Sequence, residues 1–136
     1  MRKYRIILVV LIIGIVGIVG IAGSVVYNNY FKPWKEAEIY INKYMVKQGI
    51  SEDDIKSITK EKAKKASYNG ILYRVNYKDD SQYEYQYFYS DDYYALYVNK
   101  VMLQIYNVEN NKLLKSNEEL KSVKYPPIYL KKELNK

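Results

Sequence analysis

Three adjacent carboxylate pairs are the obvious candidates for acid–base chemistry: Asp53-Asp54, Asp79-Asp80 and Asp91-Asp92. Two carboxylates can divide the roles of acid and base when their environments differ. Each pair, however, falls at an expected turn or helix start, where Asp is favoured for bonding its own backbone. The spacing of a calcium-binding loop is absent. The 136-residue chain contains no His and no Cys. This excludes Cys nucleophiles, Ser-His-Asp triads, His- or Cys-ligated zinc or haem, and disulfides. No catalytic residue, metal site or cofactor is assigned from the sequence, and the expectation is a protein that is not an enzyme.

Two other residue types are dense enough to suggest binding. Lys60, Lys62, Lys64 and Lys65, preceded by Lys56, form the strongest basic run and are candidate polyanion contacts, for anionic headgroups or a wall polymer. The chain also has 18 Tyr. Exposed aromatic ladders can stack sugars or bases. In a thin core, by contrast, the Tyr ring seals the interior while its hydroxyl reaches a polar partner or water. Core packing is the preferred reading of Tyr73 to Tyr89, with a Lys/Tyr-rich binder of envelope polyanions or glycans as the alternative. No nucleic-acid motif is present, and no nucleic-acid partner is expected.

The strongest organisational signal lies near the start. Ile6 to Tyr27 is uncharged, with Ser24 its one clearly polar side chain. A helix of 22 residues spans about 33 Å, enough for a hydrocarbon core of about 30 Å. Arg2, Lys3 and Arg5 precede it, whereas Lys32 and Lys35 beyond it are offset by Glu36 and Glu38. The bias predicts a cytoplasmic N-terminus and an extracellular C-terminal part, with the lipid bilayer as a partner through residues 6–27. The rival is a cleaved signal peptide and a secreted domain. Signal apolar regions usually run about 7–15 residues, and this one continues past Gly20-Ile21-Ala22 into Val25 and Val26. An acylated lipoprotein needs a Cys that the chain lacks.

Removing Arg2, Lys3 and Arg5 from the 22 basic residues leaves 19 after the apolar run, against 15 acidic, so the remainder carries +4. It is long enough for one small core. Pro33 and Gly49 bracket a helix whose apolar stripe is Trp34, Ala37, Ile41, Tyr44 and Met45. Ser51 to Ala66 fits either a helix, through Ile55, Ile58, Ala63 and Ala66, or a turn followed by a polar edge strand that returns through Asn69-Gly70, a favoured hairpin pair; the turn and strand are favoured.

Ile71 to Tyr77 and Tyr83 to Tyr89 alternate with period two and read as strands. A three-residue loop, Asp79 to Ser81, pairs Val75 with Tyr85, Tyr73 with Tyr87 and Ile71 with Tyr89. It places these residues on one face, whereas a one-residue slip would flip them all. Tyr93 to Val108 fits either pattern; strand is favoured, followed by a turn at Glu109 to Lys112. Tyr125-Pro126-Pro127 predicts an extended tail.

The order of a basic start, an apolar anchor, "KYMVKQGISEDDI" (Lys43 to Ile55), "YRVNYKDD" (Tyr73 to Asp80) and "YEYQYFY" (Tyr83 to Tyr89) resembles a family of short, membrane-anchored proteins of Gram-positive bacteria with a domain of unknown function. The likeness covers Met1 to Tyr89 and implies no activity, cofactor or catalytic residue. The helix-then-sheet layout is also similar, at fold level, to PepSY-type extracytoplasmic modules.

The expected fold is α+β: a transmembrane helix, then a small domain with one amphipathic helix on an antiparallel sheet of three to five strands. Its divisions are a basic cytoplasmic tail at 1–5, the transmembrane helix at 6–27, a linker at 28–32, an extracytoplasmic domain at 33–124 and an extended tail at 125–136. The expected role is a non-catalytic binding or accessory module, with a membrane or cell-envelope protein as candidate partner. The sequence leaves the oligomeric state open.

Overall fold

The computed structural model describes residues 1–65, 68–91 and 100–134. The chain divides into two units, Met1–Lys35 and Glu36–Lys136.

In the first unit, α1 (Arg2–Val26) buries none of its residues. A π-helical turn, Tyr27–Phe31, follows. Residues 28–32, expected as a linker, are helical. No Gly or Pro interrupts the chain there, and the Lys32 N–H still finds an acceptor in the Tyr27 carbonyl. The basic residues at 2, 3 and 5 lie within α1.

The second unit is a four-stranded antiparallel sheet in the order β1-β2-β3-β4. The strands are β1 (Ile55–Lys65), β2 (Tyr68–Tyr77), β3 (Tyr83–Tyr89) and β4 (Val101–Asn107). α2 (Lys32–Gln48) buries Ala37, Ile41, Tyr44, Met45 and Gln48. It meets the sheet through aromatic contacts. Tyr40 stacks on Tyr89 with centroids 5.4 Å apart, and Tyr44 meets Tyr87 edge-on at 5.8 Å. Gly49 ends α2 in the left-handed region, φ +83°, which lets Ile50 N–H reach the Met45 carbonyl and Gly49 N–H the Val46 carbonyl.

The parity argument matches the observed register: Ile71 pairs with Tyr89, Tyr73 with Tyr87 and Val75 with Tyr85. Those residues and Tyr77 are buried. Leu72 and Phe88, paired on the opposite face, are buried as well.

Two further sequence expectations need correction. Asn69-Gly70 is not a turn but part of β2, paired with Lys64 and Ala63; the connection at 66–67 lies outside the described residues. Gly70 is needed for close approach. A Cβ there would run into the Tyr89 carbonyl oxygen and lie 2.7 Å from Phe88 Cζ. Of the stretch from Tyr93, residues 93–99 lie outside the described residues and 101–107 form β4. The turn at Glu109 to Lys112 is present, closed by Asn107 N–H to the Lys112 carbonyl at 2.8 Å.

The extended tail is the second correction. Tyr125, Pro126 and Pro127 are buried, and α4 (Ile128–Leu134) follows. The prolines set the approach, but Leu130, 1 % exposed, gives the segment an apolar side to bury. A further short helix, α3 (Asn117–Ser122), starts with a capping box between Ser116 and Glu119. The expected single amphipathic helix is thus joined by two short ones.

Candidate functional site

Strand alternation divides the lysine run. Lys60, Lys62 and Lys64 share one face of the edge strand β1 and are exposed. Lys60 Nζ lies 4.9 Å from the Tyr73 ring centroid. Lys65 is on the opposite face and half-buried. It donates to Gln86 Oε1 at 2.8 Å and Gln104 Oε1 at 2.6 Å. Burial lowers its ammonium pKa, and nearby Arg74 lowers it further. The candidate polyanion contacts therefore reduce to three residues, with Lys65 bracing the other face.

The bonded members of the carboxylate pairs serve local structure: Asp54, Asp79 and Asp80 gather around Lys124, at the opposite end of β3 from Asp91. Asp54 Oδ2 accepts from Ser51 N–H at 2.8 Å, and this bond holds its pKa below the usual value. Asp79 pairs with Lys124 at 2.7 Å. Asp80, buried, accepts from the Tyr85 hydroxyl at 2.5 Å and from Lys124 N–H at 3.3 Å. Asp91, at the other end of β3, pairs with Lys100 at 3.1 Å and accepts from the Tyr89 hydroxyl at 3.0 Å. Asp92 lies outside the described residues. Among the described residues no three His, Cys, Asp or Glu side chains converge as metal ligands would.

The core tyrosines carry a continuous hydrogen-bonded chain. The Tyr87 hydroxyl donates to Gln48 Oε1 at 2.8 Å, so the 2.7 Å contact between the Tyr77 and Tyr87 hydroxyls must use the Tyr77 proton. Gln48 Nε2 then donates to the Tyr125 carbonyl at 2.9 Å. Burial pushes the hydroxyls of Tyr77, Tyr85, Tyr87 and Tyr89 above the ordinary Tyr value. Tyr44 and Tyr73 are pushed up to about 12 by the same cause. Buried and held in their protonated form, these groups are structural, and the hydroxyls of Tyr44, Tyr77, Tyr85, Tyr87 and Tyr89 each have a hydrogen-bond partner.

A concavity of about 480 Å³ lies where β4 meets the C-terminal segment. Its walls include Val101, Leu103, Leu114, Leu120 and Ile128, with Tyr44 from α2 and Lys115 at its lining. This falls in the size range of ligand pockets. The edge of β4 facing it is partly filled, because Leu114 N–H donates to the Ile105 carbonyl at 2.9 Å. Sequence reasoning missed the groove: its residues come from segments brought together only when the C-terminal part folds back.

By length and composition, the N-terminal helix is long and apolar enough to cross a membrane, and a signal sequence would look the same. No curated protein and no solved structure matches the chain. The family model that does match, described as a protein of unknown function (DUF3139), covers residues 1–87, which include α1, α2, β1 and β2 and reach into β3, while most of the groove lies beyond it. The chain belongs to the DUF3139 family.

Proposed function

We propose that this chain is a single-pass membrane protein with a cytoplasmic N-terminus, carrying outside the cell a small α+β unit that works as a non-catalytic binding or accessory module. The observation that carries the reading is α1. Its apolar side chains, unburied by the rest of the chain, need an apolar surrounding. Lipid supplies one, and a helix satisfies its own backbone there. The basic residues at 2, 3 and 5 favour retention of that end in the cytoplasm. The apolar groove supports binding, and the described carboxylates Asp54, Asp79, Asp80 and Asp91 are held in hydrogen bonds or ion pairs. Carrying a C-terminal epitope, the protein is expected at its full mass in carbonate-washed membranes. A shortened product released into the medium would support the secreted alternative instead. Photo-crosslinkers at Leu103 and Tyr129 are expected to trap an envelope partner in intact cells, and self-crosslinks alone would contradict the accessory role.

A second reading rests on Lys60, Lys62 and Lys64, three exposed cations at two-residue spacing on one face. It makes the module a binder of envelope polyanions. Co-sedimentation with purified cell wall should fall with salt and on changing these three to Gln, while Lys65→Gln leaves it intact. Binding indifferent to both would exclude this reading.

A further inference from the structure

The aromatic residues of the first unit are placed at the ends of the apolar helix. No Phe, Tyr or Trp occurs from Arg5 to Val26. Tyr4 precedes that stretch, and Tyr27, Tyr30 and Phe31 follow it before the first cation, Lys32. These three residues, three and four positions apart on a helical segment, are large and exposed: 48, 60 and 63 %. Tyr4 is 77 % exposed.

We infer that Tyr27, Tyr30 and Phe31 form a collar seated in the headgroup–acyl boundary of the outer leaflet, with Tyr4 its counterpart on the inner side. This rests on the anchored reading above and adds a specific contact to it. The separation identifies the occupant. Tyr4 and Tyr27 are 23 positions apart in sequence, about 34 Å along a helix, a little beyond a hydrocarbon core of about 30 Å. Both rings therefore fall where an amphipathic aromatic is most stable, its body among acyl chains and its hydroxyl among headgroups. A protein partner would explain a patch at one end, but not aromatics flanking the apolar run at a bilayer's thickness. The second unit begins at Glu36, five residues after Phe31, so the collar fixes the depth at which the chain leaves the bilayer.

The test uses the full chain in protein-free phosphatidylcholine–phosphatidylglycerol vesicles. The natural lack of Cys allows single spin labels at Val16→Cys, Asn29→Cys or Glu52→Cys. Collision with oxygen and with a water-soluble nickel chelate reports depth. The label at 16 should sit in hydrocarbon, at 29 at headgroup level and at 52 in water. Changing Tyr27, Tyr30 and Phe31 together to Ser should raise nickel collision at 29 by about threefold or more and leave 16 unchanged. A label at 29 as accessible as that at 52, or unmoved by the triple change, would overturn the collar while leaving the anchor standing. Nickel access at 16 would overturn the anchor, and the collar with it.

Discussion

The Tyr87 hydroxyl and the Gln48 side-chain oxygen meet at 2.8 Å in the centre of the core, on the interior face of the sheet beneath α2. The same amide donates to the carbonyls of Tyr125 and Pro126, so one side chain ties β3, α2 and the C-terminal segment together. Gln48→Ala should leave a buried hydroxyl and two carbonyls short of partners. The expected loss is about 1–3 kcal/mol, read by chemical denaturation in detergent micelles. A loss near zero would show that the amide does not hold the segment.

Alkali should unfold the second unit cooperatively. In the folded state the hydroxyls of Tyr44 and Tyr73 are raised from 10.0 to about 12, chiefly by burial. A raised folded value means the unfolded chain loses protons first. Stability is therefore intact below pH about 10 and declines as pH rises towards and through 12. Tyrosinate absorbance from core residues should appear together with loss of the sheet signal in circular dichroism. Smooth titration of a still-folded sheet would contradict the burial.

Glu119 supplies an acid counterpart at the surface. Its bond to Lys112 at 2.7 Å, aided by the N–H groups of Lys115 and Ser116, lowers its carboxyl from 4.5 to about 2. A depressed folded value stabilises above the unfolded pKa and is lost as pH falls from about 4.5 through 2. Carboxyl carbon shifts in NMR should show this midpoint, and Lys112→Met should move it upward. An unmoved midpoint would remove Lys112 as the main cause.

Much of the sheet was legible because period-two patterns carry their own register. Ile71, Tyr73 and Val75 can meet Tyr89, Tyr87 and Tyr85 on a buried face in only one parity. The helix from Pro33 to Gly49 was legible from its apolar stripe and its end signals. Asn69-Gly70 misled because a glycine needed for close approach looks, in sequence, like one needed for a turn. Tyr125-Pro126-Pro127 misled because two prolines forbid a helix locally but say nothing of Leu130 or of the Gln48 amide 77 residues earlier. Lysine density hid the division by face, which puts Lys65 opposite Lys64. The groove needs β4, the segment after it and α4 in one place, and no local pattern encodes that meeting.

Gly70 makes the mistaken turn testable. Gly70→Ala adds a methyl that must displace the Tyr89 carbonyl or the Phe88 ring. Overpacking of this kind costs about 1–3 kcal/mol. Asn69→Ala, which changes the other half of the supposed turn, should cost less. Equal tolerance of both would show that the strands do not approach as described.

Topology in intact cells tests the central claim most directly. A membrane-impermeant maleimide should label Glu52→Cys in whole cells and Lys3→Cys only after lysis, with both variants at full mass in the membrane fraction. Labelling of Lys3→Cys from outside, or of Glu52→Cys only after lysis, would contradict the account.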